Sequence, residues 1–203
     1  MVNRLAGSFF TVDLVQARDV FESLPWVRRA VVRRAFPDGM EVELQEHQAA
    51  ALWGEPDKST LVNTHGEVFE ASLGDVEGEN LLHLDGPNGS AAEVLRMSRV
   101  LKPVLEGGLK QPLQSLALSV HGGWHARMGS GARIDIGRGT DEQLVARVQR
   151  FVDTFAQAGA KYGRTRSDFI ETADLRYADG YALKLVGVCL LYTSDAADEE
   201  DSV

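Results

Sequence analysis

The sequence predicts an α+β protein: a small helix-and-hairpin unit, then a larger, mainly antiparallel sheet carrying two helices. Three observations predict it. Three segments carry the 3.6-residue apolar period of amphipathic helices, each opened by a capping residue. Between them lie short segments of apolar–polar alternation, the period of half-buried strands. Turn chemistry separates those segments, as in Pro37-Asp38-Gly39, Gly129-Ser130-Gly131 and Ala178-Asp179-Gly180.

The first helix is read over "DLVQARDVFESL". Asp13 caps it, with Gln16 three residues on, and Leu14, Ala17, Phe21 and Leu24 form one stripe. Pro25 ends it, because the residue before a proline avoids the helical region. A hairpin follows, "VRRAVVRRAFPDGMEVELQEH". Ala30, Val32 and Phe36 are expected to face inward, with Arg29 and Arg33 outward. Met40, Val42 and Leu44 alternate with Glu41, Glu43 and Gln45. Outward arginines opposite outward glutamates give cross-strand pairs worth about 0.2–1 kcal/mol each.

From Ala49 the texture changes. "AALWG" and "STLVNTHGEVFEA" read as short strands with a turn at Gly66, and "LDGPNGS" as a loop. Ser90 and Glu93 make an S-x-x-E box opening a helix to about Leu105, whose face is Val94, Ser98, Leu101 and Leu105. "LQSLALSV" is a strand and "WHARMGSGARIDIG" a hairpin. Thr140 and Gln143 cap a third helix with the face Leu144, Val148, Phe151 and Phe155. "AQAGAKYGRTRS" reads as a loop, and "FIETADLRY", "ADG" and "YALKLVGV" as a final hairpin whose last strand lies at a sheet edge.

Composition narrows the function. The 203 residues are 44% hydrophobic and 25% charged, an ordinary globular mixture. No run approaches the roughly 18 apolar residues of a membrane span, and no secretory signal stands at the start. Of the net charge of −9, five acids fall in the last nine residues; without them 21 basic residues face 25 acidic ones. That is no footprint for nucleic acid. The single cysteine, Cys189, makes neither an internal disulfide nor a thiolate metal site.

Candidate chemistry is sparse. His121 and His125 in "HGGWH" have helical metal-ligand spacing, but two glycines and the alternation put them on a turn and a strand, so a surface role is preferred. "GSGARI" lacks the third glycine and the helix of a phosphate loop. "GRGTDEQ" precedes a helix N-terminus that could hold an anion, although capping by Thr140 is the simpler account. Asn88-Gly89-Ser90 matches a glycosylation acceptor by pattern, with helix capping the better account of Ser90. No nucleophile elbow or Ser/His/Asp set stands out. Arg28, Arg29, Arg33 and Arg34 could form a phosphate patch, but the glutamates across the turn favour a solvated face. In "ADLRYADGYALKL" the large side chains Arg176, Tyr177 and Tyr181 flank what reads as an open strand edge. Such an edge is a liability or a docking place.

The segments "FFTVDL", "LPWVRRAVVRRAFPDGMEVELQEHQAAALWG", "LVNTHGEVFEA", "LLHLDGPNGSAAEVL", "HGGWHARM", "IDIGRG", "RVQRFVDTF" and "ADLRYADGYAL", in this order, resemble the bacterial cell-division FtsQ (DivIB) family over about Ser8 to Leu185. The resemblance implies a POTRA domain of β-α-α-β-β type over residues 1–48, with its first strand and helix missing. It implies a β domain of mainly antiparallel strands with two helices over 49–188. Such proteins are inner-membrane, single-pass scaffolds with these domains in the periplasm. They use no cofactor and are not enzymes. They bind FtsB and FtsL, and contribute to recruiting FtsK, FtsW and FtsN. FtsB is expected to add a strand beside the last β-domain strand, at positions matching Arg176, Tyr177, Asp179, Gly180 and Leu185, with Tyr181 beside them. A family arginine that helps hold FtsB corresponds to His121. The POTRA recruitment face corresponds to Arg29, Val32 and Arg34, with Glu46 near the domain junction.

The resemblance also implies that a cytoplasmic tail and a span precede this region, and that a POTRA unit without its first strand is loose in isolation. Residues 189–203, starting "CLLYTSDAADE", bear no pattern relation to what precedes them. They look like the translation of a sequencing adapter, with a genuine acidic, disordered tail as the alternative. Two other functions compete with the scaffold: a POTRA-type chaperone or assembly factor for envelope transport, disfavoured because no long alternating barrel region follows, and a cell-wall enzyme, which needs a catalytic constellation.

Overall fold

The computed structural model describes residues 13–55, 59–76, 78, 80–160, 162–163 and 165–193. The predicted α+β architecture is present. The chain opens with α1 (Leu14–Glu22), whose N-cap Asp13 accepts hydrogen bonds from the backbone N–H of Val15 (2.8 Å) and Gln16 (3.3 Å). An antiparallel pair follows, β1 (Val27–Ala35) and β2 (Gly39–Glu46). Ala17 of α1 and Ala30 of β1 are both buried.

The rest of the chain builds one ten-stranded sheet, in the order β12-β11-β10-β9-β8-β7-β6-β3-β4-β5. Its strands are β3 (Ala49–Trp53), β4 (Thr60–Asn63), β5 (Val68–Glu70), β6 (Leu82–Asp85), β7 (Leu113–Leu118), β8 (Trp124–Met128), β9 (Arg133–Gly137), β10 (Ile170–Asp174), β11 (Gly180–Leu185) and β12 (Val188–Thr193). Three neighbouring pairs, β3/β6, β6/β7 and β9/β10, are parallel, and the rest are antiparallel. Parallel neighbours need a crossover, usually a helix. α2 (Ala91–Leu109) links β6 to β7, and α3 (Asp141–Ala160) links β9 to β10. The apolar faces of both helices, Val94, Leu101 and Leu105 with Leu144, Val148, Phe151 and Phe155, are buried on the sheet.

Several local expectations change. Thr140 and Gln143 form a reciprocal capping box (3.1 and 3.4 Å) as predicted. Ser90 does not cap α2 with its side chain, because its hydroxyl donates to the Pro87 carbonyl at 2.7 Å. α2 runs on through Gly107-Gly108, and α3 through Gly159, into segments whose composition reads as helix end and loop. Buried neighbours outweigh the low helix propensity of glycine there. Phe36 does not face inward: β1 ends at Ala35, and Phe36 is 86% exposed in the turn.

The largest change is at the sheet's end. The strand Gly180–Leu185 is not outermost. β12 pairs with it antiparallel over six residue pairs, from Gly180↔Thr193 to Leu185↔Val188. The first residues of the segment that looked foreign therefore form a strand. Backbone pairing asks for β-compatible residues rather than sequence kinship. Residues 1–12 and 194–203 lie outside the described residues.

Candidate interaction site

The β10–β11 turn is held from both sides. The Asp174 carboxylate accepts from the Arg176 backbone N–H (3.1 Å) and, in a fork, from its Nε (2.8 Å) and Nη2 (2.6 Å). These hydrogen bonds hold Asp174 below the usual carboxylate range and raise Arg176. From α3, Arg150 Nη1 donates to the Ala178 carbonyl at 2.9 Å. A groove of about 490 Å³ lies beside it, lined by Gln143, Ala146, Arg147, Arg150 and Ala178.

Strand register decides what shares this rim. Trp124 starts β8 opposite Gly137 at the end of β9, and Asp174 at the end of β10 lies level with Asp135. The β7–β8 turn carrying His121 and the β10–β11 turn carrying Arg176–Asp179 thus sit at one end of the sheet. Arg147 Nη1 ties that end to α3 through the carbonyls of Ile136 (3.2 Å) and Arg138 (2.7 Å). Gly137, with φ +86°, lies against Arg176; an added Cβ would stand 2.8 Å from the Arg176 Cγ. His121, Arg176, Tyr177 and Asp179 are exposed, Tyr177 by 49%.

The other site residues behave differently. Tyr181 is 1% exposed: its ring meets Phe151 edge-on with centroids 5.1 Å apart, and its hydroxyl shares a hydrogen bond with Thr154 Oγ1 at 3.0 Å. Leu185 is fully buried. Alternation puts Tyr181, Leu183 and Leu185 on the helix-covered face. Gly180, Tyr181 and Leu185 supply backbone to the strand, not side chains to the surface.

In the hairpin, Val32 and Arg34 share a face with Val42 and Met40, their register partners. Arg29, three residues before Val32, lies on the opposite face beside Gln45. The expected recruitment residues therefore do not form one face. Arg29, Arg34 and Glu46 are exposed and Val32 is partly buried.

Arg28, read in the sequence as one of four solvated arginines, spans the two units instead. Its Nε and Nη2 donate to Glu67 at 2.6 and 3.0 Å. Asn63, fully buried, donates from Nδ2 to Glu67 Oε2 (2.7 Å), with His47 Nδ1 at 2.9 Å from the same nitrogen; its Oδ1 accepts from the His65 and Glu67 backbone N–H groups. His47 stacks on Phe69 at 4.2 Å, and Trp26 meets that ring edge-on at 5.4 Å. The hydrogen bonds from Arg28 and Asn63 hold Glu67 down at about 2, while burial lowers His47. No sequence period marks this junction, because its members come from three separate segments, around Arg28, at His47 and over Asn63–Phe69.

Among the described residues no group of three or more His, Cys, Asp or Glu side chains could hold a metal ion. His125 and Asp135 form a surface pair at 2.5 Å, each a little under half exposed. No described helix is long and apolar enough to cross a membrane.

A helix-and-hairpin unit clamped to a ten-stranded sheet has the form of a two-part α+β module. The chain matches the FtsQ-type POTRA domain over residues 2–47 and the C-terminal region of the cell-division proteins FtsQ/DivIB over residues 51–176. It is 43% identical over 189 residues to the cell division protein FtsQ of Thiomonas arsenitoxydans, covering 92% of this chain and 68% of that protein. The FtsQ proteins of Burkholderia pseudomallei and Bordetella pertussis are each 36% identical, over 96% and 91% of this chain and 75% and 70% of theirs. The chain belongs to the FtsQ/DivIB family of cell-division proteins.

Proposed function

We propose that this chain is a non-enzymatic scaffold of the bacterial division machinery, linking early and late division proteins by binding FtsB and FtsL through strand addition beside β11. The observation that supports this most is that the outer edge of β11 accepts an antiparallel strand along its whole length, from Gly180 to Leu185. Main-chain hydrogen bonds give such docking its affinity, and neighbouring side chains its specificity. Tyr177, Asp179 and the outer side of the Arg176–Asp174 pair, with His121 on the same rim, are placed to supply the second part. Arg29, Val32, Arg34 and Glu46 serve recruitment of FtsK, FtsW and FtsN, from two faces of the hairpin. Residues 1–48 are the partial POTRA domain, 49–188 the β domain and 189–203 an addition foreign to the family. The region is periplasmic, attached to the inner membrane by a single span.

The test is binding of a labelled peptide of the extracytoplasmic FtsB segment to the chain ending at Gly187, with its folding checked by thermal denaturation. Micromolar or tighter affinity is expected, with Tyr177→Ala weakening it at least about tenfold, as for an interfacial aromatic anchor. A folded chain that does not bind, or a variant that binds equally, refutes the assignment.

A further inference from the structure

We propose that the sheet face opposite the two long helices is a second docking surface, where Arg127 and Arg133 hold the carboxylates of an acidic peptide segment of a partner protein. The inference goes beyond the strand-addition reading and does not rest on it. Trp124, Ala126 and Met128 of β8 and Ile134 and Ile136 of β9 are buried in one core with α2 and α3. Alternation therefore turns Arg127 and Arg133 to the opposite face, where both are exposed. They are register partners, directly across from one another. Like charges so placed destabilise a sheet. Neither guanidinium forms an ion pair or hydrogen bond among the described residues. Elsewhere the chain answers a strand cation with an acid: Arg33 lies across from Glu41, and Lys184 stands 2.6 Å from Glu171. Here the register neighbours on either side of the pair, Ser115 and Thr172, are uncharged, and Asp135 is engaged by His125 at 2.5 Å.

A groove of about 650 Å³ on this face sets the rest of the occupant's chemistry. Arg127 stands towards one end of it, and the half-buried Leu52 and Leu81 towards the other. Leu52, His83, Ser115 and Arg127 are register partners in succession, so they cross the sheet in one row. Three strand spacings separate Leu52 from Arg127, roughly 14 Å. An extended chain covers that in about four residues. The fitting occupant carries a carboxylate about four residues from an apolar side chain. The planar guanidinium fork suits a carboxylate, through paired N–H bonds. Asp85 and Asp135 lie on the next row of the same face, joined through Ala117 and His125. Their negative charge disfavours a polyanion or a flat anionic surface and favours a discrete carboxylate.

The test is an NMR titration of the isotope-labelled full chain with the capped peptide "LLSGSED", and with "LLSGSQN" as its uncharged control. Amide shifts confined to β6–β9 are expected, with a dissociation constant of about 1 mM or tighter. Affinity is expected to be at least about tenfold weaker for the control, and for the full chain carrying Arg127→Gln and Arg133→Gln together. That variant should melt at the same or a higher temperature, because a repulsive pair is gone. Absent binding, or equal binding by the control or by the variant, overturns the proposal. A variant that loses binding and thermal midpoint together makes the arginines structural, and also overturns it. Co-sedimentation with phosphatidylglycerol vesicles that needs both arginines, where the peptide fails, assigns the face to lipid headgroups and overturns the peptide. Affinity for the FtsB peptide, measured on the chain ending at Gly187 with the same two substitutions, is expected to be unchanged. A matching loss makes the two surfaces one and overturns the proposal. If the FtsB peptide binds neither chain while "LLSGSED" binds as expected, this surface stands and the strand-addition reading falls.

Discussion

Asn63 is a fully buried hydrogen-bonding hub. Its amide serves Glu67 and His47 on one side and two backbone N–H groups on the other, with no access to water. Asn63→Ala strands those partners and is expected to cost about 1–3 kcal/mol by urea denaturation. The neighbouring charges give a pH dependence with a definite sign. Glu67 is held at about 2, below its ordinary 4.5, so its contribution is complete above pH 4.5 and is lost as pH falls towards 2. His47 is lowered from 6.5, so the unfolded chain binds its proton first and acidification below 6.5 also destabilises. Thermal midpoints should therefore fall in two stages on acidification, and Glu67→Gln should flatten the lower one. Tyr181 teaches a lesson in legibility at this scale. It reads as a docking side chain because it flanks what looks like an open strand edge, yet alternation with Leu183 and Leu185 already assigns it to the core. Tyr181→Phe should cost about 1 kcal/mol, the value of one hydrogen bond, and Tyr181→Ala about 3–5 kcal/mol.

Elements follow their caps and stripes more faithfully than their composition. The buried faces of α2 and α3 are the predicted ones, and the Thr140–Gln143 box is in place. Both helices run past the ends read from the sequence, α2 beyond Leu105 to Leu109 and α3 into the segment read as a loop, to Ala160. Gly108 lets α2 approach α3: a Cβ there would overlap Val152, whereas one at Gly107 meets nothing within 4 Å. This predicts opposite outcomes for adjacent residues. Gly108→Ala is expected to destabilise by about 1–3 kcal/mol through overpacking. Gly107→Ala should be neutral or stabilise by up to about 1 kcal/mol through helix propensity. Urea denaturation of both variants checks it. Gly66 is a similar case in a turn: its φ is +85°, and a Cβ would stand 2.6 Å from Ala92 at the start of α2. Its turn and the helix were both legible, but the contact between them was not.

At the level of the whole molecule, helix placement and ten of the twelve described strands were readable from period and turns; β6, whose end lies in a segment read as a loop, β12 and the order of strands were not. The parallel neighbours β3 and β6 are separated in sequence by two other strands, so no local signal announces their pairing. The junction was likewise illegible, since Arg28 and Glu67 lie 39 residues apart and each alone reads as a surface charge. Arg28→Ala is expected to lower the thermal midpoint of the helix-and-hairpin unit while leaving the exchange protection of β7–β9 unchanged, because the sheet's main core includes none of that unit.

The ladder at the end of the sheet also has a mechanical meaning. Six registered pairs join β11 to the strand beside it. A tug along the strand axis is shared by all of those bonds together, while a tug across it opens them singly, like a zip. Any strand seated on this edge would hold under lengthwise load and let go when peeled from one end. For a cell-division protein, the direction of pull would then decide whether the attachment lasts.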